Sequence, residues 1–249
     1  MKYPAVRKRV VQPWDVYEGV ADFYDLIHRA RGRNAELEAA LVSREVRRRS
    51  PTSRSLLDVA CGSGQHLPVL AQDFEVTGID LSESMLASAA AKAPQVSLHT
   101  ADMRTFDLGR RFDAVVSIDS GIGYLADEKE LNAAVGAMAA HLEPRGVLMI
   151  EGWYEPDFWL SSVSVDARTE NGIAVARFTR STRDGQRTEL HIRYEISTAA
   201  GHQTIEELHV LQLSLPDKFR SAFEMAGLTF ERLPHMLRPG RSVYVGMAS

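Results

Sequence analysis

Three features predict an α/β fold with a doubly wound sheet. Short apolar runs recur between helical segments from about residue 55 to 152. The first of these runs ends in a glycine-rich turn, "LLDVACGSGQHLPVL". At Trp153 the pattern changes to alternating strands, and it returns to helix and strand order near residue 214. Strands separated by helices at this spacing build a parallel sheet, and period-two alternation builds an antiparallel one. The expectation is a seven-stranded Rossmann-like sheet with an antiparallel β insertion before its last two strands.

Composition sets the outer limits. The chain has 249 residues, long for one domain and short for two, so one domain with an insertion is expected. Hydrophobic residues make up 45% and charged residues 25%, which are globular values. A net charge of −4 argues against a nucleic-acid or membrane binder. Cys61 stands alone, which excludes an intrachain disulfide. No apolar run reaches membrane-spanning length, and no apolar core follows the basic start "MKYPAVRKRVVQPW", so cytoplasm is the expected compartment. The arginine cluster in "REVRRRSPTSR" reads as a solvated helix end.

Residues 1–16 read as an irregular arm. Val20, Phe23, Tyr24 and Ile27 share a face and predict a helix over 17–33. A second helix is predicted over 34–49, ended by Pro51. Strands are then predicted at 55–60, 75–80, 96–100, 112–118 and 146–152. Helices are expected at 65–72, after a capping Ser82, and at 128–141. The insertion, 153–213, carries "GIAVARFTRSTR", "RTELHIRYEIST" and "QTIEELHVLQLS", separated by turns such as "DGQ". A helix with Gly227 as C-cap and two strands, "LTFERL" and "SVYVGMA", complete the chain. The domain reading is a core of 1–152 and 214–249, whose first 50 or so residues form a helical lid, and the insertion as the acceptor or dimer region.

Three ligands compete for the turn "DVACGSGQH". A phosphate loop needs Gly-Lys-Ser/Thr, and no such lysine is present. A dinucleotide turn wants G-x-G-x-x-G, and Leu67 stands at the third glycine position. The third ligand, S-adenosylmethionine, has no phosphates and needs close backbone approach, which Gly62 and Gly64 permit. It also needs an acid at the end of the second strand for the ribose hydroxyls, where Asp80 stands. Asp102 near the third strand end suits the adenine amino group, with Met103 over the ring. Each residue alone also fits an ordinary turn or cap; together, in order along the strand ends, they favour S-adenosylmethionine. Cys61 reads as a small packing residue of the turn.

The segment "LLDVACGSGQH … GIDLSESML … ADMRTFDL … FDAVVSI" resembles the class I S-adenosylmethionine-dependent methyltransferases over residues 55–151. Most of the chain has a narrower resemblance, carried by "YEGVADFYDLIHRARGRN", "DMRTFDLGRRFDAV", "GIGYL", "EGWYEPDFW" and "GRSVYVG". It is similar to the nucleotide-linked (thymidine-diphosphate) amino-sugar N-methyltransferases of the desosamine and mycaminose type, from antibiotic biosynthesis. The class I sheet, a lid that includes Tyr17 and Tyr24, and an acceptor site are what the resemblance implies. Cofactor contacts are expected from Tyr17, Tyr24, Arg33, Ala60, Gly62, Gly64, Asp80, Leu81, Met85, Asp102, Met103 and Ile118. The chain departs from that family at Asp80, where Glu is usual, and at Tyr124, where His is usual. It also has Asp119 for an aromatic residue and Gly152 for proline.

Methyl transfer to nitrogen requires a free lone pair, so an alkylammonium acceptor must lose a proton first. Asp119, Tyr124, Tyr17 and Glu151 are the expected catalytic group, with His28 a further candidate base. Asp119 or Tyr124 is expected to orient the acceptor. Trp153 and Arg241 are expected to bind substrate, Arg241 and Arg238 suiting a diphosphate. No metal is expected, since no cluster has ligand spacing. The expected partner is a small molecule, with neither nucleic acid nor membrane, and a homodimer is compatible with the sequence. Alternative functions are methyl transfer to a glycoside or polyketide oxygen, a NAD-binding oxidoreductase, and a non-catalytic binding protein.

Overall fold

A computed structural model describes residues 7–10 and 19–248. The chain divides into two compact units, 1–34 with 160–211, and 35–159 with 212–249. Residues before 35 thus group with the insertion, whereas the sequence reading placed them with the core.

The larger unit is built on a seven-stranded sheet. Its parallel strands are β2 (Ser55–Val59), β3 (Glu75–Asp80), β4 (Ser97–Thr100), β5 (Phe112–Ser117) and β6 (Leu142–Tyr154). Strands β11 (Glu231–Pro234) and β12 (Arg241–Met247) complete it, in the order β11-β12-β6-β5-β2-β3-β4. β12 runs antiparallel to both β6 and β11. Successive side chains of a strand point to opposite faces. Leu56, Ala114, Val116, Val147 and Met149 therefore enter one apolar cluster, with α2 (Ala35–Arg49), α3 (Leu67–Asp73) and α4 (Glu83–Lys92). Leu57, Val115, Leu148 and Ile150 enter the other, with α5 (Glu128–Ala140) and α6 (Pro216–Met225). Burial on both faces explains why β5 and the later part of β6 read as continuous apolar runs.

The order reverses beside β2, which has β3 on one side and β5 on the other. Crevices at the carboxyl ends of such strands are where open α/β sheets bind ligands. Ser82 caps α4 as expected, its hydroxyl accepting the Met85 N–H at 3.3 Å. β6 starts four residues earlier than the apolar pattern suggests. Its pairing with β5 jumps from Phe112↔Leu142 to Ala114↔Val147, so residues 143–146 form a bulge.

The smaller unit holds a five-stranded sheet in the order β1-β10-β9-β8-β7. Its strands are β1 (Arg7–Val10), β7 (Val163–Glu170), β8 (Ile173–Asp184), β9 (Arg187–Thr198) and β10 (Gly201–Gln212). The hairpin β8–β9 closes Asp184 on Arg187, so the "DGQ" turn spans two residues, with Gly185 at φ +57°. Two expectations are corrected. The irregular arm contains β1, which pairs in parallel with β10. Edge pairing uses backbone groups, so it leaves little trace in side-chain pattern. The helix expected over 17–33 is, within the described residues, a 3-10 turn at Ala21–Phe23 followed by α1 (Tyr24–Ala30). Gly32, at φ +70°, follows its end.

Candidate functional site

The site residues collect where β2, β3, β4 and β5 end. After Val59 the chain turns left-handed at Ala60, Gly62 and Gly64, with φ of 59°, 55° and 73°. The two glycines serve different needs. A Cβ on Gly64 would lie 2.7 Å from the Ala89 Cβ, so that glycine lets the turn sit on α4. A Cβ on Gly62 would meet nothing within 4 Å, leaving open space above the backbone. Cys61 is buried, and burial together with Asp58 and Asp80 pushes its thiol pKa well up.

Asp80 ends β3 and folds back on the turn. Its Oδ2 accepts the Gly62 N–H at 2.8 Å and its Oδ1 accepts the Ser82 N–H at 2.9 Å. Burial raises its pKa, while the backbone donors of Ser82, Gly62 and Leu81 oppose the rise. Each oxygen keeps lone-pair capacity for a further donor. Leu81 is half-buried beside it, and Met85 is buried in the first turn of α4.

Asp102 lies two residues beyond β4. Arg104 holds it through the backbone N–H at 2.9 Å and the guanidinium Nε at 3.0 Å, and keeps its pKa below the usual carboxylate value. Arg104 also reaches Glu130 Oε1 at 2.5 Å, anchoring the loop to α5. Met103 is half-buried, and its Cε lies 3.8 Å from where a Gly121 Cβ would project. That Cβ would also meet the Ala60 Cβ at 2.9 Å. Gly121 therefore marks the place where the loops after β2, β4 and β5 converge.

Beyond buried Ile118, Asp119 and Ser120 both take left-handed φ, 66° and 63°. Two successive non-glycine residues there are strained and must be held by their surroundings. The Asp119 N–H donates to Glu151 Oε2 at 2.7 Å, and the Ser120 hydroxyl donates to the Gly152 carbonyl at 2.6 Å. Asp119 Oδ1 lies 2.7 Å from an Arg238 nitrogen, and the same nitrogen is 3.4 Å from Glu151 Oε1. Tyr124 closes a 3-10 turn, Gly121–Tyr124, and is half-buried.

Arg241 is 3% exposed. Its guanidinium stacks on Trp153 at 4.2 Å and Tyr154 at 4.8 Å and donates to Ser120 Oγ at 3.0 Å. Both Arg238 and Arg241 are thus internal groups, where the sequence reading had pictured arginines facing a diphosphate. Tyr24, Arg33 and His28 belong to the smaller unit, where His28 is buried and packs against Tyr24 at a ring distance of 4.1 Å. Tyr17 lies outside the described residues. Sequence reasoning passed over Glu38, His66, Asp58 and Ser120. An acid inside the apolar stripe Ala39, Val42, Val46 and a histidine straight after the glycine turn were the available signals.

Residues 56–146 match the methyltransferase domain family. The chain is 40% identical over 230 residues to dTDP-3-amino-3,4,6-trideoxy-alpha-D-glucopyranose N,N-dimethyltransferase of Streptomyces venezuelae, covering 91% of this chain and 97% of that protein. The chain belongs to the S-adenosylmethionine-dependent amino-sugar N-methyltransferases. Two relatives of solved structure share the fold of this methyltransferase. DesVI of Streptomyces venezuelae has a TM-score of 0.87 at 39% identity, covering 92% of this chain and 98% of that one. SAM-bound CalS10, an amino pentose methyltransferase from Micromonospora echinaspora, has 0.83 at 38%, covering 91% and 96%. Among the described residues of the methyltransferase, no helix is long and apolar enough to cross a membrane, and no group of three His, Cys, Asp or Glu could hold a metal ion.

Proposed function

We propose that this enzyme transfers a methyl group from S-adenosylmethionine to the amine of a thymidine-diphosphate-linked amino sugar in natural-product biosynthesis. The observation that carries the reading is the row of strand ends. Gly62 leaves backbone open at β2, Asp80 and Asp102 follow at β3 and β4, and Asp119 stands across the reversal at β5. These residues fit S-adenosylmethionine. The space over Gly62 admits its close approach, Asp80 suits the ribose hydroxyls and Asp102 the adenine amino group. Ala60, Gly64, Leu81, Met85, Met103 and Ile118 shape the same loops. Tyr17, Tyr24 and Arg33 are retained as proposed cofactor contacts, to be tested by titration calorimetry on Tyr→Phe and Arg33→Ala variants.

When bound, S-adenosylmethionine supplies a methyl group on a sulfonium, which is already a good leaving group. Positioning is therefore the main task of the protein. Asp119 and Tyr124 orient the amine, and Asp119 offers a carboxylate to a cationic acceptor. The acceptor nitrogen must release a proton before it attacks, and the Asp119 carboxylate accepts it directly or through water. Glu151 holds the Asp119 backbone in place. Trp153 and Arg241 are assigned to the acceptor side of the site, with Arg241 fixed between aromatic rings rather than free to swing.

Exposed apolar side chains along the edge of the smaller sheet, Val163 at 79% and Val165 at 59%, support a homodimer, which sedimentation would test. The burial of Cys61, the one cysteine, is in keeping with a cytoplasmic enzyme. The deciding assay supplies S-adenosylmethionine with thymidine-diphosphate 3-amino and 4-amino sugars and their hydroxyl analogues, and reads product mass. One or two added methyl masses on amino sugars alone are expected. Transfer to hydroxyl analogues alone would move the function to oxygen.

A further inference from the structure

Glu38 and His66, buried behind the strand ends, have no part in the reading above. Glu38 on α2 has a side chain only 8% exposed. Its Oε2 lies 3.1 Å from His66 Nε2 and 3.0 Å from one terminal nitrogen of Arg238. The other terminal nitrogen of Arg238 reaches Asp119 at 2.7 Å. His66 stands two residues past Gly64, directly before α3. A continuous line of side chains, His66–Glu38–Arg238–Asp119, therefore joins the glycine turn to the acceptor-side carboxylate.

Stability alone is a poor explanation for such a line. Buried ion pairs are often replaceable by apolar residues at no cost. What they do well is fix geometry, because a guanidinium holding two carboxylates has few alternative positions. The charges of the cluster are also finely set. Glu38, Asp119 and Glu151 face Arg238 and Arg241, the latter 4.0 Å from Asp119 and 3.9 Å from Glu151. A proton on His66 adds a positive charge that faces the same carboxylates. The groups facing His66 are Glu38 from α2, Asp58 from β2 and Asp119 beyond β5, and all three favour that proton against the effect of burial.

We propose that Glu38 is a positioning residue: it ties His66 of the glycine turn to Arg238 and thereby fixes Asp119 for the acceptor. The activity readout rests on the N-methyltransferase reading; the line of contacts itself does not.

The test is a double-mutant cycle with Glu38→Gln and Asp119→Asn, reading kcat/KM for the amino sugar at saturating cofactor. Glutamine keeps the shape of Glu38 and removes its charge. If Glu38 acts through Arg238 on Asp119, each single variant loses about tenfold or more, and the double variant is within about twofold of Asp119→Asn. Losses that multiply would overturn the proposal, since a general structural defect adds to any other. Thermal melts check folding, and Arg238→Lys replaces Glu38→Gln in the cycle if that variant does not fold. If the wild type methylates no sugar, the functional reading fails and the proposal is decided by NMR titration of His66. The shift that Arg238→Gln causes there should shrink at least threefold in the Glu38→Gln background. An undiminished shift would sink the idea.

Discussion

Gly62 and Gly64 sit two residues apart and are predicted to fail differently. Alanine at Gly64 would drive a Cβ to 2.7 Å from Ala89 at a left-handed φ. That should cost about 2–4 kcal/mol, strain and overpacking combined, seen as a lower Tm. Alanine at Gly62 meets open space, so only the φ penalty of about 1 kcal/mol is expected in stability. Its effect should instead appear in calorimetry as at least tenfold weaker S-adenosylmethionine binding. Equal melting losses in the two variants would refute the distinction. Asp58 carries a pH prediction. Burial, its largest influence, pushes its pKa up to about 7 from an ordinary 3.8, with nearby His66 lowering it and Asp80 raising it. The folded protein then keeps a proton that the unfolded chain releases, so this contribution is present at low pH and is lost as pH rises from about 4 to about 7. His66, also raised, acts in the same direction as pH rises through its folded value. Asp58→Asn should flatten the decline of Tm between pH 4 and 7; an unchanged slope would reject the assignment. At this scale the sequence placed Gly62, Gly64, Asp80 and Asp102 beside successive strand ends, where the structure has them, because that placement follows chain order. It offered Arg238 only as a diphosphate partner and gave no sign of its three carboxylate neighbours, which lie 87 to 200 positions away in the chain.

Among elements, the parallel strands were legible because two buried faces leave an apolar run. Leu57 of β2 is fully buried in the cluster with α5 and α6, and Leu57→Ala is expected to cost about 2–5 kcal/mol by chemical denaturation. A loss under 1 kcal/mol would mean that the core collapses around the gap. The features that escaped notice were held by backbone. β1 joins a sheet edge, and β6 gains residues through a bulge, neither of which leaves a pattern in side chains. The turn after β5 combines both kinds of information. Asp119 was singled out by residue type, but its left-handed φ is enforced by Glu151 and Gly152 on the neighbouring strand. Ser120→Ala removes the hydroxyl that bridges Gly152 and Arg241. About 1–3 kcal/mol of stability should go with it, together with a lower acceptor kcat/KM and a nearly unchanged cofactor affinity. A fall in cofactor affinity alone would contradict that division of labour.

The whole molecule shows a discontinuous larger unit, interrupted by the strands of the smaller one. Binding to the folded state alone raises stability by RT ln(1 + [L]/Kd), about 2.7 kcal/mol at one hundred times Kd. S-adenosylmethionine should therefore raise the Tm of the protein, whereas NAD should leave it unmoved; the reverse result would restore the oxidoreductase alternative.

The distance along the sequence between Arg238 and its three carboxylate partners has a consequence for synthesis. Glu38, Asp119 and Glu151 all leave the ribosome well before it, roughly 4–20 s earlier even for Glu151 at ordinary translation rates. Until Arg238 arrives, those carboxylates lack the guanidinium that all three share. β12, the strand between β6 and β11, is also still missing at that point. A chain cut short before residue 238 should thus be cleaved by proteases faster than one that carries Arg238. Burial of this carboxylate cluster waits on the late arrival of one guanidinium.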